Sequence, residues 1–353
     1  MKKIFLIGFY GYGNYGDDLL LKSFLQILNE IKFDGILFLP IENELEFNEK
    51  YKFKIIKVSR FNFYEVRKTI KDSDVIIFGG GNLFQSETSY RSFMYYYYIA
   101  RLGEKFNKTI LLLSQGFGSF KEKRSLQKLK KILSYPKLYG NLRDETSYIF
   151  ATKYNKNISL GVDVGPYPFL NYTYKKTNKI SICLKEEHDL RYLTEFLSTF
   201  ENYALSTLVI NATQDTLKNY ELVENIRRET KVTAEFPFKD PNKITKEISE
   251  SKIIISDRLH SALAGIFFGG QTITFNNLKN QRVLKNIKRD YNFFYKNTIK
   301  RGYNFFYKNT AEIPFIYYDA VSSNYDFKEI SDIYKDKLQK TVFDIKTLIQ
   351  SIL

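Results

Sequence analysis

Short apolar runs alternate with longer mixed segments from the first residues to about position 275, a rhythm that few architectures accept. The runs Ile4 to Phe9, Gly35 to Leu39, Ile55 to Val58, Val75 to Phe78, Thr109 to Ser114 and Ile158 to Val162 read as strands covered on both faces. Between them lie stretches long enough for helices, such as Asp18 to Ile31, where Leu19, Leu20, Phe24, Ile27 and Leu28 share one side. A second series starts at Lys179, with strands at Ile180 to Leu184, Ala204 to Ile210, Val232 to Phe236, Ile253 to Ser256 and Thr272 to Phe275. Helical segments separate these at Leu190 to Phe200, Thr216 to Glu229 and Ile244 to Glu250. The pattern predicts an α/β protein of two Rossmann-like domains. Both periodicities vanish between Gly165 and Lys176, where Pro166 and Pro168 block regular structure. We therefore expect an N-terminal domain over 1–170, a C-terminal domain over 178–325 and an amphipathic helical segment over 326–353.

Ligands of parallel sheets sit beyond the C-terminal ends of the strands, so two such domains are expected to face each other across a cleft. A single Cys excludes a disulfide framework and a sulfur-ligated metal site, and fits a reducing compartment. The net charge of +15 favours an anionic partner without naming it. Met1 to Phe9 resembles the front of a secretory signal, but its short apolar run leads into a Gly-rich turn and reads better as a buried strand. No stretch is long and apolar enough to predict a membrane span, so the expected location is cytoplasmic, with peripheral contact at the inner face of the membrane as an option.

The residues that can carry chemistry fall at strand ends. Gly11, Gly13 and Gly16 follow the first strand with GxGxxG spacing, but Asp17 and Asp18 come next, at the helix start, where carboxylates compete with a pyrophosphate. A turn offering Asn14 and Asp17 to hydroxyls is the better reading, with Asp18 as a possible helix cap. Gly79, Gly80, Gly81 and Asn82 read as a second Gly-rich loop after a strand, where backbone N–H groups can approach a ligand or a neighbouring loop. Ser114 to Gly118 is similar and aims Gln115 at the same edge. Arg143 either makes a local ion pair and cap with Asp144 and Glu145 or faces the cleft, and Asp163 ends another strand. The sharpest group is Asp257-Arg258-Leu259-His260-Ser261, where a buried strand runs into a guanidinium suited to carboxylate or phosphate and an imidazole suited to moving a proton. His188, the other of two His, is the weaker catalytic candidate, and neither shows a metal-ligand spacing.

Together these segments resemble the polysaccharide pyruvyl transferase family: Gly11 to Asp18, Phe78 to Leu83, Ser114 to Gly118, Leu142 to Ser147 and above all Asp257 to Ala262, in order over roughly residues 1–280. The resemblance implies a fold similar to GT-B glycosyltransferases, an acceptor side in the N-terminal domain and a donor side in the C-terminal one. It implies transfer of a pyruvyl group from phosphoenolpyruvate, as co-substrate and with no cofactor or metal, onto two hydroxyls of a cell-surface saccharide or its lipid-linked precursor. Arg258 and His260 map to the family's donor site. Lys185 stands where the family commonly has Arg, which keeps the charge and loses the bidentate fork. On this reading Arg258, Lys185, Arg143 and Ser261 hold the donor, and His260 transfers a proton or stabilises phosphate. Asp17 orients or deprotonates the acceptor hydroxyl, beside Asn14, Gly80, Gly81, Asn82, Gln115 and Asp163. Two alternatives stay open: a GT-B-type nucleotide-sugar glycosyltransferase and a non-catalytic anion- or glycan-binding protein. Nucleic acid is not an expected partner, since no helix-turn-helix, zinc or RNP pattern is present.

Tyr and Phe contribute 28 and 31 residues without a Trp, most of them read as compositional bias. One identical block, Tyr-Asn-Phe-Phe-Tyr-Lys-Asn-Thr, occurs at 291–298 and again at 303–310. Two copies cannot build a solenoid, and a duplication tolerated in a loop is the favoured reading over a stacking patch. In the last segment, Ile330, Ile333, Leu338, Val342, Ile345, Leu348, Ile349 and Ile352 predict an apolar stripe that docks on the body or on a membrane surface.

Overall fold

The computed structural model describes residues 1–42, 51–87, 89–288, 306–322 and 325–353. The chain divides into two compact units: Met1–Tyr12, Asp17–Pro168 and Lys337–Leu353 form the first, and Gly13–Gly16 with Phe169–Asp336 the second. The first copy of the repeated block and the opening of the second lie outside the described residues.

The first unit is built on strands β1 (Lys3–Ile7), β2 (Ile36–Pro40), β3 (Lys54–Val58), β4 (Val75–Gly81), β5 (Thr109–Gln115), β6 (Leu138–Leu142) and β7 (Ile158–Leu160). Helices α1 (Tyr15–Glu30), α2 (Phe63–Asp72), α3 (Tyr90–Lys105), α4 (Lys123–Leu133) and α5 (Glu145–Ala151) connect them, though the first two residues of α1 count with the second unit. The sheet order is β3-β2-β1-β4-β5-β6-β7, with every pairing parallel. Such a sheet needs cover on both faces, which explains why all of β4 is buried and why its sequence does not alternate. Phe5, Ile76, Phe78, Phe93, Ile110 and Leu112 belong to its core.

The second unit holds β8 (Thr177–Cys183), β9 (Ala204–Leu208), β10 (Thr233–Phe238), β11 (Ser251–Ser256), β12 (Gln271–Phe275) and the two-residue β13 (Phe306–Tyr307). They pair in parallel in the order β10-β9-β8-β11-β12-β13. The helices are α6 (Leu190–Ser198), α7 (Thr216–Glu229), α8 (Pro241–Glu250), α9 (Leu259–Phe267), α10 (Leu278–Ile287) and α11 (Ile313–Ser322). In each sheet the strand order reverses beside the first strand, between β1 and β4 and between β8 and β11. Loops leaving the two strands at such a reversal part company and leave a crevice at their carboxyl ends.

The expected C-terminal amphipathic helix is α12 (Phe327–Ile352). Ile330, Tyr334, Leu338, Val342, Ile345 and Ile349 are buried along one side of it. Its portion up to Asp336 counts with the second unit, where Ser331 Oγ donates to Phe267 O at 2.5 Å. The remainder is tied into the first, where Thr341 Oγ1 accepts from Val162 N at 3.1 Å. No helix among the described residues is long and apolar enough to cross a membrane.

Candidate functional site

In the second unit β11 ends at Ser256 and α9 begins at Leu259, with Arg258 as its N-cap. Arg258 offers no side-chain cap; the turn is closed instead by Ser256 Oγ, which accepts from Arg258 N at 3.0 Å and bonds the Ser261 hydroxyl. The positive end of the α9 dipole and a guanidinium thus stand at the carboxyl end of β11, chemistry suited to a phosphate. Arg258 is not a loose surface cation. Its Nε donates to Asp215 Oδ1 and Oδ2 at 3.0 and 3.2 Å, and its Nη2 donates to Gln214 Oε1 at 2.8 Å. Asp215 is fully buried and also accepts from Asn211 N at 2.8 Å. A fork fixed this way loses little rotamer entropy when it meets an anion.

His260, buried on the first turn of α9, packs on the Gly13–Gly16 segment that the second unit claims from the N-terminus. A β-carbon at Gly16 would lie 1.9 Å from His260 Nδ1, so only glycine permits this approach. The segment is fastened by Tyr15 N donating to Ile210 O at 2.9 Å and by the Tyr15 and Thr245 hydroxyls, 2.9 Å apart. Asn14 bridges Asn211, and its Oδ1 accepts from Gly16 N at 3.2 Å.

Across the reversal, the loop after β8 is organised by a buried carboxylate. Asp257 Oδ2 accepts from Lys185 N at 2.7 Å, Glu186 N at 2.8 Å and His188 Nε2 at 2.9 Å, while Oδ1 accepts from the Tyr307 hydroxyl. Because the carboxylate only accepts, His188 presents its proton at Nε2. Burial pushes the Asp257 carboxyl up, but the bonds from His188, Tyr307 and Lys185 outweigh it and hold the group below the ordinary carboxylate value. Burial and the Asp257 charge push the Tyr307 hydroxyl well up, so it stays a donor. The two backbone N–H groups at this strand end therefore serve an internal anion, and the Lys185 ammonium lies 2.5 Å from Glu186 Oε1.

Tyr307 corrects the expectation for the repeat. The second copy is no tolerated surface loop where it is described: Tyr307 is fully buried, Phe306 and Tyr307 form β13, and Thr310 Oγ1 donates to Asp189 O at 2.6 Å.

The first unit gathers the other expected residues at the carboxyl ends of β1, β4, β5 and β6. The strand β4 runs on through all three glycines where a loop was expected, with φ of +81° at Gly80 and +83° at Gly81. Gln115 Nε2 reaches Gly80 O at 2.5 Å, aimed there by an irregularity at Ser114, whose φ is +52°. Arg143 is fully buried in an ion pair with Asp163, and its Nη2 donates to Asn82 Oδ1 at 2.7 Å. Asp144, beside it, caps α5 through Ser147 N at 2.8 Å. A β-carbon at Gly81 would lie 3.8 Å from Asp17 Oδ1, which puts Asp17 at this strand end. Asp18 Oδ1 accepts from Gly11 N at 2.9 Å, and burial pushes its carboxyl up to about 6. Sequence reasoning missed Arg60, buried among Phe9, Tyr12, Tyr95 and Tyr96, with Nη1 donating to Gly8 O at 2.7 Å. Nothing local to Arg60 signals that burial.

The expected residues thus fall into two groups. Asp17, Gly80, Gly81, Asn82, Gln115, Arg143 and Asp163 belong to the first unit, and Asn14, Lys185, Arg258, His260 and Ser261 to the second. Among the described residues, no group of three or more His, Cys, Asp or Glu could hold a metal ion.

The model of the family described as polysaccharide pyruvyl transferase matches residues 14–280, which include Asn14 to Asp18, the Gly79–Gly81 strand end and the Arg258–His260 turn. The chain belongs to the polysaccharide pyruvyl transferase family. Among curated proteins, none matches this member of the family. Solved structures similar to it include UDP-GlcNAc 2-epimerase from Neisseria meningitidis bound to UDP-GlcNAc, at 8% identity and TM-score 0.63 over 99% of this chain and 100% of that one. HepE from Anabaena in complex with UDP-glucose is 9% identical, with TM-score 0.59 over 100% of each chain. MnaA from S. aureus with UDP is 12% identical, with TM-score 0.55 over 96% of this chain and 91% of that one. At these identities the likeness is one of fold: this pyruvyl transferase family member shares the GT-B type of two parallel-sheet domains. Membership of this family makes it an enzyme of transferase type acting on a saccharide.

Proposed function

We propose that the protein moves a group from a phosphate-bearing donor to hydroxyls of a saccharide, free or lipid-linked, and receives the donor's anionic end at the β11–α9 turn. The observation that carries this reading is the packing of Gly16 on His260, which joins the glycine-rich segment and the Arg258–Ser261 turn at the sheet's reversal point. In this reading Arg258, oriented by Asp215, neutralises phosphate, and Ser261 and Lys185 assist. His260 moves a proton or stabilises the leaving phosphate. Asp17, with Asn82 and Gln115, receives the acceptor; Arg143, spent on Asp163, supports that strand end from within.

Two donors satisfy this chemistry. A nucleotide-sugar is supported by neighbours of the same fold that hold UDP-GlcNAc and UDP-glucose over nearly their whole length. Phosphoenolpyruvate is supported by the family match. Its acceptor hydroxyl would add at C2 as C3 is protonated, phosphate would leave, and a second hydroxyl would close the ketal. Incubation with each donor and extracted surface glycans separates them, since hexosyl transfer adds about 162 Da with release of nucleotide and ketal formation adds about 70 Da with release of phosphate. If neither donor changes any acceptor and neither binds, the transferase reading fails in favour of a non-catalytic glycan- or anion-binding protein. With the productive donor, His260→Gln is expected to lose about 10²-fold or more in turnover; near-normal turnover would remove His260 from proton transfer.

A further inference from the structure

Apart from the inward Arg60, the corner that joins β3 to α2 takes no part in the groups above. Phe61, Phe63 and Tyr64 there are 63%, 54% and 78% exposed. Aromatic rings of this size usually supply core or interface area, so three at one turn call for a partner. The corner is firmly built. Asn62 Oδ1 accepts from Glu65 N at 3.1 Å and caps α2, Glu65 Oε2 accepts from Ser59 N at 3.3 Å, and Glu42 Oε1 accepts from Phe61 N at 3.2 Å. Phe63 rests edge-on against Tyr95 and Tyr98, at 6.5 and 5.8 Å between ring centres. Beyond the corner, α2 turns Val66, Thr69 and Ile70 inward and leaves Arg67, Lys68 and Lys71 exposed. Tyr64, Lys68 and Lys71 follow one another at i, i+4 and i+7, so the aromatic tip continues into a cationic helix face. Asp72 is the exposed carboxylate on that helix.

We propose that this corner docks the protein on an anionic phospholipid bilayer, with Phe61, Phe63 and Tyr64 at the boundary of headgroups and acyl chains and Arg67, Lys68 and Lys71 on lipid phosphates. Rings alone would suit a sugar or a protein, and cations alone a soluble polyanion. An anionic interface with an apolar interior satisfies both at once. Docking of this kind is independent of which donor the enzyme uses.

The test uses the full chain and vesicles of phosphatidylcholine with and without phosphatidylglycerol. Because the protein has no Trp, Phe61→Trp installs a single reporter at the tip. Its emission is expected to shift to the blue, and to be quenched by brominated acyl chains, on anionic vesicles. Lys68→Gln and Lys71→Gln are each expected to weaken partitioning about fivefold. Joint replacement of Phe61, Phe63 and Tyr64 by Ser is expected to weaken it at least about tenfold, with thermal unfolding lowered only by the loss of the Phe63 contacts with Tyr95 and Tyr98 and the protein folded at the assay temperature. Absence of binding, equal binding to neutral vesicles, unchanged emission from the bound Trp variant or undiminished binding of the triple variant would each overturn the proposal. So would RNA or heparin binding that displaces the vesicles and ignores the rings.

Discussion

Asp18→Asn isolates a cost that the structure builds into its glycine-rich loop. The Asp18 carboxyl is pushed from an ordinary 3.8 up to about 6, first by burial and then by the Asp17 charge, against the pull of Gly11 N and Lys22. Between those two values the native state holds a proton that the unfolded chain has released. Stability must therefore fall as pH rises from about 4 to 6 and stay low above, by at most about 3 kcal/mol at 1.36 kcal/mol per unit. A carboxylate in the first turn of α1 recovers about 0.3–1 kcal/mol from the helix dipole, so about 2 kcal/mol is the working figure. Asparagine keeps the acceptor for Gly11 N, bonded at 2.9 Å, and cannot ionise. The two proteins should match near pH 4, and the variant should be more stable by about 2 kcal/mol at pH 7. Reversible urea unfolding at intervals between these values measures the difference directly, with every other titrating group common to both. Parallel stability curves would show that burial of this carboxyl is compensated and refute the reasoning. A stabilised variant with reduced turnover would mark Asp18 as held for function.

Gly16→Ala drives a β-carbon to 1.9 Å from His260 Nδ1, so we expect the Gly13–Gly16 segment to leave its seat. Turnover should fall at least tenfold, the second unit should lose stability with the bonds of Tyr15 to Ile210 and Thr245, and full activity would remove the Gly16–His260 contact from the site. Tyr307→Phe strips a donor from Asp257 Oδ1 and should cost about 1–3 kcal/mol and raise the Asp257 pKa. The added loss should therefore be full at neutral pH and shrink as pH falls through the ordinary carboxylate range, where the stabilisation held by the lowered Asp257 pKa is lost in both proteins; a neutral substitution would return the second repeat copy to the role of a plain loop. Lys176 is lowered to about 7, by burial and then by Lys335, with Nζ on Ser251 O. Its unfolded form keeps the proton up to about 10.5, so stability should rise with pH from about 7 toward 10, and Lys176→Met should abolish that rise.

The main strands were legible because burial on both faces leaves an unbroken apolar run. β6 escaped separate notice because Gly140 and Asn141 interrupt its run. β13 was hidden because it has two residues and acquires its identity only by pairing with β12. At the candidate site, Arg258 and His260 stood out as a polar pair at the end of a hydrophobic strand. Asp215, which orients Arg258, lies in an ordinary Gln-Asp-Thr stretch that carries no sign of its partner.

What the sequence determined alone was the two parallel-sheet domains and the strand ends where chemistry gathers, since periodicity and glycine placement act over a few residues. Which charges are bonded to one another was decided by the tertiary structure. Arg143 met Asp163, Arg258 met Asp215, and Asp257 met a backbone turn 72 positions earlier in the chain. A buried charge takes whichever partner the packing brings within bonding distance, and that choice is set by strand order, which no local pattern records.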